Sequence, residues 1–226
     1  MNVCNTCRIF DITLSLLALI LLSPIFALIC LILKFTGEGE IIYWQKRVGK
    51  KNNIFYLVKF ATMQKNSPNI ATGNITVQND PRVLPVGKFL RSTKINELPQ
   101  LLNIFFGDMS FVGRRPLTPD LYQEYSEKAK ASFASTRPGL TGVGSIVFRS
   151  EDIYINTAKN PIEFYKLQIL PYKERLELWY LANNNLKIYF MLIFITILVV
   201  LKINVGIEKK FRAILPSHEI FNPASS

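Results

Sequence analysis

The stretch that decides the fold is residues 94–116, which read K-I-N-E-L-P-Q-L-L-N-I-F-F-G-D-M-S-F-V-G-R-R-P. It predicts a short helix, because Asn96 is a favourable N-cap residue and Pro99 falls in the first turn, where a missing N–H costs little. Gly107 follows the last apolar residue and is typical of a helix C-terminus. Apolar residues between these signals recur at helical spacing and predict one buried face: Leu98, Leu101, Leu102 and Phe105.

The N-terminus of this helix is a candidate phosphate site. A helix N-terminus presents free N–H groups and the positive end of the helix dipole to an anion. Asn96 and Glu97 lie there, and the basic pair Arg114–Arg115 follows on the same stretch. The alternative is a capped core helix without a ligand, which is the commoner use of this pattern. The rest of the chain decides between the two.

The composition indicates a membrane and an anionic partner. Of the 226 residues 49% are hydrophobic, and the formal net charge is +11 at pH 7. Nucleic acid, an anionic leaflet and a phosphorylated substrate all fit this sign. No aromatic-interleaved RNA motif or recognition-helix pattern accompanies the charge, so nucleic acid is disfavoured as a partner. With three cysteines and one histidine, a disulfide framework and a zinc site are disfavoured too.

Residues 9–33 form an almost wholly apolar run that is long enough to cross a bilayer. Ser23 and Pro24 lie near its middle, where proline removes a helical hydrogen bond and clashes with the preceding turn. Two structures fit: a kinked helix that crosses once, which the residues alone favour, or a broken helix that returns to the same face. In both, the basic residues that follow place the next domain in the cytoplasm: Lys46, Arg47, Lys50 and Lys51.

Strand and helix signals alternate along the middle of the chain. Strands are expected at residues 41–44 and 54–60 around a turn at 49–53, with a polar loop at 64–79. Helices are expected at residues 86–92, from Thr118-Pro119 to about 134, and from Asn160-Pro161 to about 182 with an interruption at Pro171. A glycine-rich turn at 137–142 leads to residues 145–149, which we interpret as a further strand.

A second apolar run lies near the C-terminus. Residues 186–201 are marginal in length for a membrane span. An interfacial helix is the alternative, but the run lacks a polar face. The basic tail after it suits a cytoplasmic anionic surface, with Lys209, Lys210 and Arg212.

A series of short motifs stands in order along the chain. They are Q-K-R-V-G at 45–49, K-F-A-T-M at 59–63, D-P-R-V at 80–83, L-R-S at 90–92, N-E-L-P-Q-L-L-N at 96–103, G-D-M-S-F-V-G-R-R-P at 107–116 and R-P-G-L-T-G at 137–142. Each is unspecific alone, but the set in this order resembles the bacterial sugar transferases of the monotopic phosphoglycosyl transferase family. The resemblance covers nearly the whole chain, from the Ser23-Pro24 run to the second apolar run.

The resemblance implies a reaction and a fold. The reaction moves a sugar-1-phosphate from a UDP-sugar to polyprenyl phosphate, releases UMP and uses Mg²⁺. The fold is α/β, α-rich with a small sheet or hairpin, and monotopic. It has an N-terminal re-entrant helix broken at Ser23-Pro24 and a C-terminal hydrophobic helix. The resemblance thus reverses the preference for a crossing helix.

The resemblance also implies site residues. Glu97 supplies a carboxylate for Mg²⁺, an ion that commonly binds one or two carboxylates together with substrate phosphates. Basic and acidic positions that match the family's phosphate and substrate site are Lys59, Arg91, Arg115, Arg137, Arg149 and Glu177. As isolated residues these would be interpreted as solvated surface charges; as a set within matched motifs they predict a site for two phosphates.

Three residues depart from the family's pattern. Ala61 stands where a basic residue is usual, Arg114 stands where proline is usual, and Asn96 stands at the nucleophile position. The family has aspartate before Glu97, as the nucleophile that carries the phosphosugar, and this chain has Asn96. A neutral amide cannot form an acyl phosphate. Three hypotheses follow: Glu97 is the nucleophile, the two phosphates react directly with Asn96 orienting one of them, or the protein is a pseudoenzyme. A membrane scaffold that binds anionic lipid is a further alternative, although a scaffold needs no carboxylate at a phosphate-binding helix end.

The predicted organisation has three parts. Residues 1–36 form the membrane anchor, residues 37–183 a cytoplasmic catalytic domain, and residues 184–226 a hydrophobic helix with a basic tail. The expected partners are a UDP-sugar, polyprenyl phosphate and the anionic leaflet, and the expected location is the cytoplasmic face of a bacterial inner membrane. The oligomeric state is left open, a homo-oligomer included.

Overall fold

The computed structural model describes residues 3–65, 67, 80–149, 160–201, 203 and 214–216. The expected loop at 64–79 and the basic tail therefore lie largely outside the described residues. In chain order the elements are α1 (Val3–Phe35), β1 (Ile42–Val48), β2 (Ile54–Phe60), α2 (Pro85–Ser92), α3 (Gln100–Phe106), β3 (Ser110–Val112), α4 (Pro119–Gln123), α5 (Glu127–Ala134), β4 (Gly139–Thr141), α6 (Val143–Val147), α7 (Pro161–Phe164), α8 (Leu170–Asn183) and α9 (Leu186–Val200). The fold is helix-rich, with two two-stranded sheets.

The chain divides into two compact units. The first comprises Met1–Phe10, Arg47–Phe55 and Gly107–Ser226, and the second comprises Asp11–Lys46 and Tyr56–Phe106. Each unit gathers segments that are distant in sequence, and the predicted boundaries at residues 36 and 183 stay predictions.

Helix α1 continues through Ser23 and Pro24. Proline lacks the N–H that would bond to the carbonyl of Ile20, and the Ser23 hydroxyl donates to that carbonyl instead, at 2.8 Å. The pair therefore leaves the Ile20 carbonyl satisfied, as an apolar surrounding requires. Within the described residues, the segment Thr6–Phe35 of α1 is the one helix that is long and apolar enough to cross a membrane. The re-entrant path stays a prediction.

In the second unit, α2 and the strand β2 pack on the C-terminal half of α1. The buried core comprises Ile29, Leu33, Phe60 and Leu90. Gly87 allows α2 to approach the chain after β2, because a Cβ at that position would lie 2.2 Å from the carbonyl oxygen of Thr62. The predicted strand at 54–60 and helix at 86–92 are confirmed, and the first strand runs further than predicted, to Val48.

The predicted start of the central helix is wrong. Lys94 has a left-handed backbone (φ 63°) and opens a 3-10 turn, Ile95–Glu97, so Asn96 lies inside a turn rather than at an N-cap. The 3-10 pattern of i→i+3 hydrogen bonds continues to the N–H group of Leu102. Pro99 has no N–H group to donate. The α-helix α3 therefore begins only at Gln100. The buried face also differs from the prediction: it comprises Gln100, Leu101, Asn103 and Ile104. The glycine at the C-terminus is confirmed, since Gly107 has φ +98°.

In the first unit, β3 and β4 pair in parallel, with Ser110 opposite Gly139 and Val112 opposite Thr141. The predicted strand at 145–149 is wrong, because residues 143–147 form helix α6. Its hydrogen bonds begin at the carbonyl of Gly142, which accepts from the N–H of Ile146 at 3.0 Å. Three apolar side chains of this helix are buried at helical spacing: Val143, Ile146 and Val147.

The remaining helices of the first unit complete its core. The single helix expected after Thr118 is two helices, since Ser126 caps α5 by accepting the N–H of Ala129 at 3.2 Å. The interruption expected at Pro171 takes the form of a π-helical turn, Tyr165–Ile169, which precedes α8. Helix α9 has 15 residues and buries one face in this core, with Tyr189, Leu192 and Ile195.

Candidate active site

The second unit carries four of the predicted site residues. Asn96 and Glu97 lie in the 3-10 turn before α3, Arg91 lies at the end of α2, and Lys59 lies half-buried on β2. Asn96 is 7% exposed, and its Oδ1 is buried without a hydrogen-bond partner. A buried amide oxygen without a donor is rare in folded proteins, so this atom is a candidate for contact with substrate.

Arg91 and Glu97 lie near enough for their charges to interact. Burial lowers the pKa of the Arg91 guanidinium, and the nearby carboxylates of Asp80 and Glu97 act in the opposite direction. The guanidinium of Arg82 adds to the lowering. A half-buried guanidinium next to a carboxylate is suited to bind a phosphate that arrives with a metal ion.

Asp80 and Arg82 form a buried ion pair beside this group. Arg82 Nη2 lies 2.6 Å from Asp80 Oδ2, and Arg82 Nε and N donate to Oδ1 at 2.9 and 3.0 Å. Arg82 Nη1 also donates to the carbonyl of Ser67 at 2.7 Å. Both carboxylate oxygens of Asp80 thus accept hydrogen bonds from Arg82.

Asn103 connects α3 to β2. Its Oδ1 accepts the N–H of Val58 at 3.0 Å, and its Nδ2 donates to the carbonyl of Tyr56 at 2.8 Å. Because Lys59 is the next residue of the strand, this buried amide sets the position of Lys59 relative to α3. Asn103 belongs to the motif at 96–103, but its sequence neighbours give no sign of this role, since a pairing over this separation leaves no local signal.

In the first unit the two consecutive arginines have different environments. Arg114 is 1% exposed, and its guanidinium lies 5.3 Å from the ring centroid of Phe133 and 5.7 Å from that of Tyr122. Arg114 Nη2 donates to the carbonyls of Val48 and Gly49 at 2.9 and 3.2 Å. Arg115 is exposed. Arg114 is therefore part of the core, and Arg115 is the member of the pair that can reach a ligand.

Glu177 is buried on α8, not exposed as a ligand would be. The backbone N–H groups of Gly144 and Arg115 lie near its carboxyl group, whose Oε2 is buried without a hydrogen-bond partner. Burial raises the pKa of Glu177 to about 7, against the opposing effects of Arg114, Lys173 and the two N–H groups. The structure thus brings Glu177 together with the backbone of Arg115.

Two further predicted residues contact backbone carbonyls. Arg137 Nε donates to the carbonyl of Gly107 at 2.7 Å, which ties the start of β4 to the start of β3. Arg149 Nη1 donates to the carbonyl of Val199 at the end of α9. Both are suited to hold backbone in place, and their roles toward substrate stay predictions.

A magnesium ion is compatible with one carboxylate of the second unit. Among the described residues, no group of three or more His, Cys, Asp or Glu side chains could hold a metal ion. Mg²⁺ does not need such a group, because it commonly takes one or two carboxylates, waters and substrate phosphate oxygens. Glu97 fits this donor set, whereas Asp80 is held by Arg82.

The comparison with known families identifies the class. The chain matches the family of bacterial sugar transferases over residues 4–203. Such a match spans both units and all the motifs above, and the chain belongs to this family of transferases.

Named relatives lie within this family. The chain is 38% identical to the exopolysaccharide production protein ExoY of Sinorhizobium fredii over 65% of its own length and 71% of that protein. It is 35% identical to the undecaprenyl-phosphate galactose phosphotransferase of Salmonella typhimurium over 65% of the chain, but spans only 33% of that enzyme. It is 33% identical to the UDP-glucose:undecaprenyl-phosphate glucose-1-phosphate transferase of Escherichia coli over 83% of the chain and 39% of that enzyme.

Proposed function

We propose that this chain transfers a sugar-1-phosphate from a UDP-sugar to polyprenyl phosphate, as undecaprenyl phosphate, and releases UMP. The family membership and the names of two relatives support the class of reaction. The observation that carries the proposal is that the second unit holds half-buried Arg91 near enough to Glu97 for their charges to interact, together with the buried amide of Asn96. The activity would serve the first membrane step of a polysaccharide.

The reaction requires charge neutralisation more than it requires a new covalent group on the protein. An oxygen of the lipid phosphate attacks the β-phosphorus of the UDP-sugar, and the bond from that phosphorus to the oxygen of UMP breaks. UMP leaves with the bonding electron pair. In the second unit Arg91 would bind phosphate oxygens, and a magnesium ion held by Glu97 would supply further positive charge at the diphosphate.

Asn96 favours direct transfer between the two bound substrates. An amide cannot become an acyl phosphate, but its N–H₂ group can donate to a phosphate oxygen. In this mechanism Asn96 orients one phosphate and Glu97 binds the metal ion. The second candidate function, a pseudoenzyme that binds lipid phosphate or nucleotide-sugar, is favoured only by this same substitution at the nucleophile position.

The test is the release of UMP from a panel of UDP-sugars with undecaprenyl phosphate and Mg²⁺. The wild-type chain should release UMP with at least one donor, and Glu97→Gln should lower turnover at least a hundredfold, since the amide keeps the shape and loses the charge. Glu127→Gln is the matched control, because the Glu127 side chain is 90% exposed and forms an ion pair with Lys130. A wild-type chain that binds the donor but releases no UMP would establish the pseudoenzyme.

The proposed location is the cytoplasmic face of the inner membrane, with α1 re-entrant. In a variant that keeps Cys7 and replaces Cys4 and Cys30 by serine, a thiol reagent that does not cross membranes should react only after the cytoplasmic face is opened. Lys51→Cys in a variant without the native cysteines provides the cytoplasmic reference, since Lys51 is exposed at the turn after β1. Reaction of Cys7 from outside intact cells would establish a crossing helix instead.

A further inference from the structure

One face of the hairpin formed by β1 and β2 carries exposed side chains that the candidate site does not use. The N–H of Ala61 donates to the carbonyl of Ile41 at 2.9 Å, which sets these two residues opposite each other in the antiparallel pair. Counted from this bond, Lys46 lies opposite Tyr56, and Trp44 precedes Lys46 on the same face of β1. We call Trp44, Lys46 and Tyr56 the hairpin face, and all three belong to the second unit.

The hairpin face has the composition of a membrane–water interface. Trp44 is 58% exposed and Tyr56 is 52% exposed, and Lys46 between them is exposed too. Tryptophan and tyrosine are enriched at the headgroup level of bilayers, because each has an apolar ring and a polar atom that stays wet. A lysine beside them attracts anionic headgroups. Lys59 lies on the opposite face of the hairpin, since side chains alternate along a strand, so the hairpin face is separate from the candidate site.

Helix α1 packs on the same side of the hairpin as these residues. Phe60 lies on the same face of β2 as Tyr56, and its ring lies 5.4 Å from that of Phe26 on α1, measured between centroids. Phe26 belongs to the segment of α1 that is long and apolar enough to cross a membrane. The opposite side of α1 exposes Leu28 and Leu31 at this level. A stretch of helix with protein on one side and exposed leucine on the other lies where protein meets lipid, so a bilayer around α1 also reaches the hairpin face.

We propose that the hairpin face is a second membrane contact, which lies in the headgroup region of an anionic leaflet next to α1. The rings of Trp44 and Tyr56 lie among the polar ends of the acyl chains, and Lys46 contacts lipid phosphates. The formal net charge of +11 favours an anionic lipid surface over a neutral one. Because β2 carries Lys59 on its other face, the contact holds this residue close to the membrane surface. The proposal rests on the proposed membrane location of α1 and not on the transfer reaction.

The native Trp44 provides the test. The chain has two tryptophans, so Trp179→Phe leaves Trp44 as the only one. The full chain is placed in nanodiscs of phosphatidylcholine and phosphatidylglycerol whose acyl chains carry bromine, a contact quencher of tryptophan, either near the headgroups or near the bilayer centre. The emission of Trp44 should fall at least threefold with bromine near the headgroups and clearly less with bromine near the centre.

Two matched controls use chains in which both native tryptophans are phenylalanine. Leu21→Trp, at an exposed position of α1, should be quenched by brominated lipid, and Glu127→Trp, at an exposed position of α5, should not. If Leu21→Trp is quenched but Trp44 is quenched no more than Glu127→Trp, the proposal is overturned and the location of α1 stands. If none of the three is quenched, both are overturned. Trp44 quenching without any release of UMP would refute the transfer reaction and support the membrane contact.

Lys46→Glu tests the role of charge. With bromine carried only by phosphatidylglycerol, quenching of Trp44 should be at least twofold stronger than with the same amount of bromine carried only by phosphatidylcholine. Lys46→Glu should remove this difference, whereas Lys128→Glu, at an exposed position of α5, should keep it. A difference that survives Lys46→Glu would overturn the contact between Lys46 and anionic lipid.

A second copy of the chain is the competing occupant of the hairpin face. Shielding of Trp44 from aqueous iodide that increases with protein concentration in detergent, without quenching by brominated lipid, would establish that occupant and overturn the proposal. If Trp179→Phe does not fold, Tyr56→Cys in a chain whose three cysteines are serine replaces it and carries a nitroxide. In nanodiscs, oxygen, which partitions into lipid, should relax this nitroxide more than an aqueous nickel complex does, and the reverse order would overturn the proposal.

Discussion

Asn103 on α3 accepts the N–H of Val58 on β2 at 3.0 Å and so takes the place of a neighbouring strand. The same side chain donates to the carbonyl of Tyr56 at 2.8 Å, which completes the pairing that an edge strand would otherwise lack. The helix that follows Asn96 and Glu97 is therefore bonded directly to the strand that carries Lys59. One buried amide organises three candidate site residues within the second unit.

Replacing Asn103 by leucine should destabilise the protein. The change leaves the Val58 N–H and the Tyr56 carbonyl without partners, and we expect a loss of about 2–4 kcal/mol. A thermal unfolding experiment in detergent should show the transition several degrees lower. Asn53→Leu, at an exposed position, is the control and should shift the transition little. Equal transitions in the two variants would show that the amide bridge is not needed.

Substitutions of Arg114 and Arg115 should have different effects, the first on stability and the second on activity. Arg114→Ala removes a buried guanidinium that bonds to two carbonyls and lies against two rings, and it should lower the unfolding temperature strongly. Arg115→Ala should leave that temperature nearly unchanged and lower kcat/KM at least a hundredfold, because a phosphate loses a bidentate partner. The two variants are measured side by side by thermal unfolding and by UMP release. If Arg115→Ala instead lowered the unfolding temperature and Arg114→Ala lowered only kcat/KM, Arg114 rather than Arg115 would be the residue that binds phosphate.

The raised pKa of Glu177 predicts a pH dependence of stability. Between the ordinary value of 4.5 and about 7, the unfolded chain has lost the Glu177 proton while the folded chain retains it. The folded state binds more protons in this window, so its stability should fall as the pH rises, by about 3 kcal/mol, and level off above about pH 7. Glu177→Gln should lack this component. The measurement is the unfolding temperature of both proteins from about pH 5 to about pH 8, and parallel curves would contradict the burial of an ionisable group there.

With asparagine at position 96, we expect no exchange of isotope between UMP and the UDP-sugar. If the two phosphates react directly, labelled UMP should not enter the UDP-sugar when no lipid acceptor is present. Asn96→Ala should weaken transfer without abolishing it, while Asn96→Asp should keep transfer and introduce exchange by opening a covalent route. Label that enters the UDP-sugar with the wild-type chain would require a phosphosugar-enzyme and would favour Glu97 as its nucleophile.

Local signals in the sequence predict part of the fold. The strands around residues 49–53, the helix at 86–92 and the caps at Thr118 and Gly107 follow from propensity and cap residues. Parallel strand β4 was missed and residues 145–149 were assigned to a strand. Three-residue strands carry little periodicity, and the partner of β4 lies far away in the chain. The start of α3 was misplaced because the left-handed backbone of Lys94 has no signal in its side chain.

The candidate site is likewise only partly predictable from the sequence. The motifs identify which residues matter, but not which of two adjacent arginines is buried. They also miss the pairing of Asp80 with Arg82, and they do not show that Glu177 is buried. These distinctions depend on the three-dimensional neighbours of each side chain, which lie up to 66 residues away in the sequence.

The central claim is that the phosphate next to the sugar moves with it to the lipid. The direct measurement uses a UDP-sugar labelled at the β-phosphate, with undecaprenyl phosphate as acceptor, and follows the label into the fraction extracted by organic solvent. We expect the label to enter the lipid in equal amount to the sugar, while unlabelled UMP is released. Label that stays in UDP while the sugar enters the lipid would contradict the account, because it would mean that the sugar alone had been transferred.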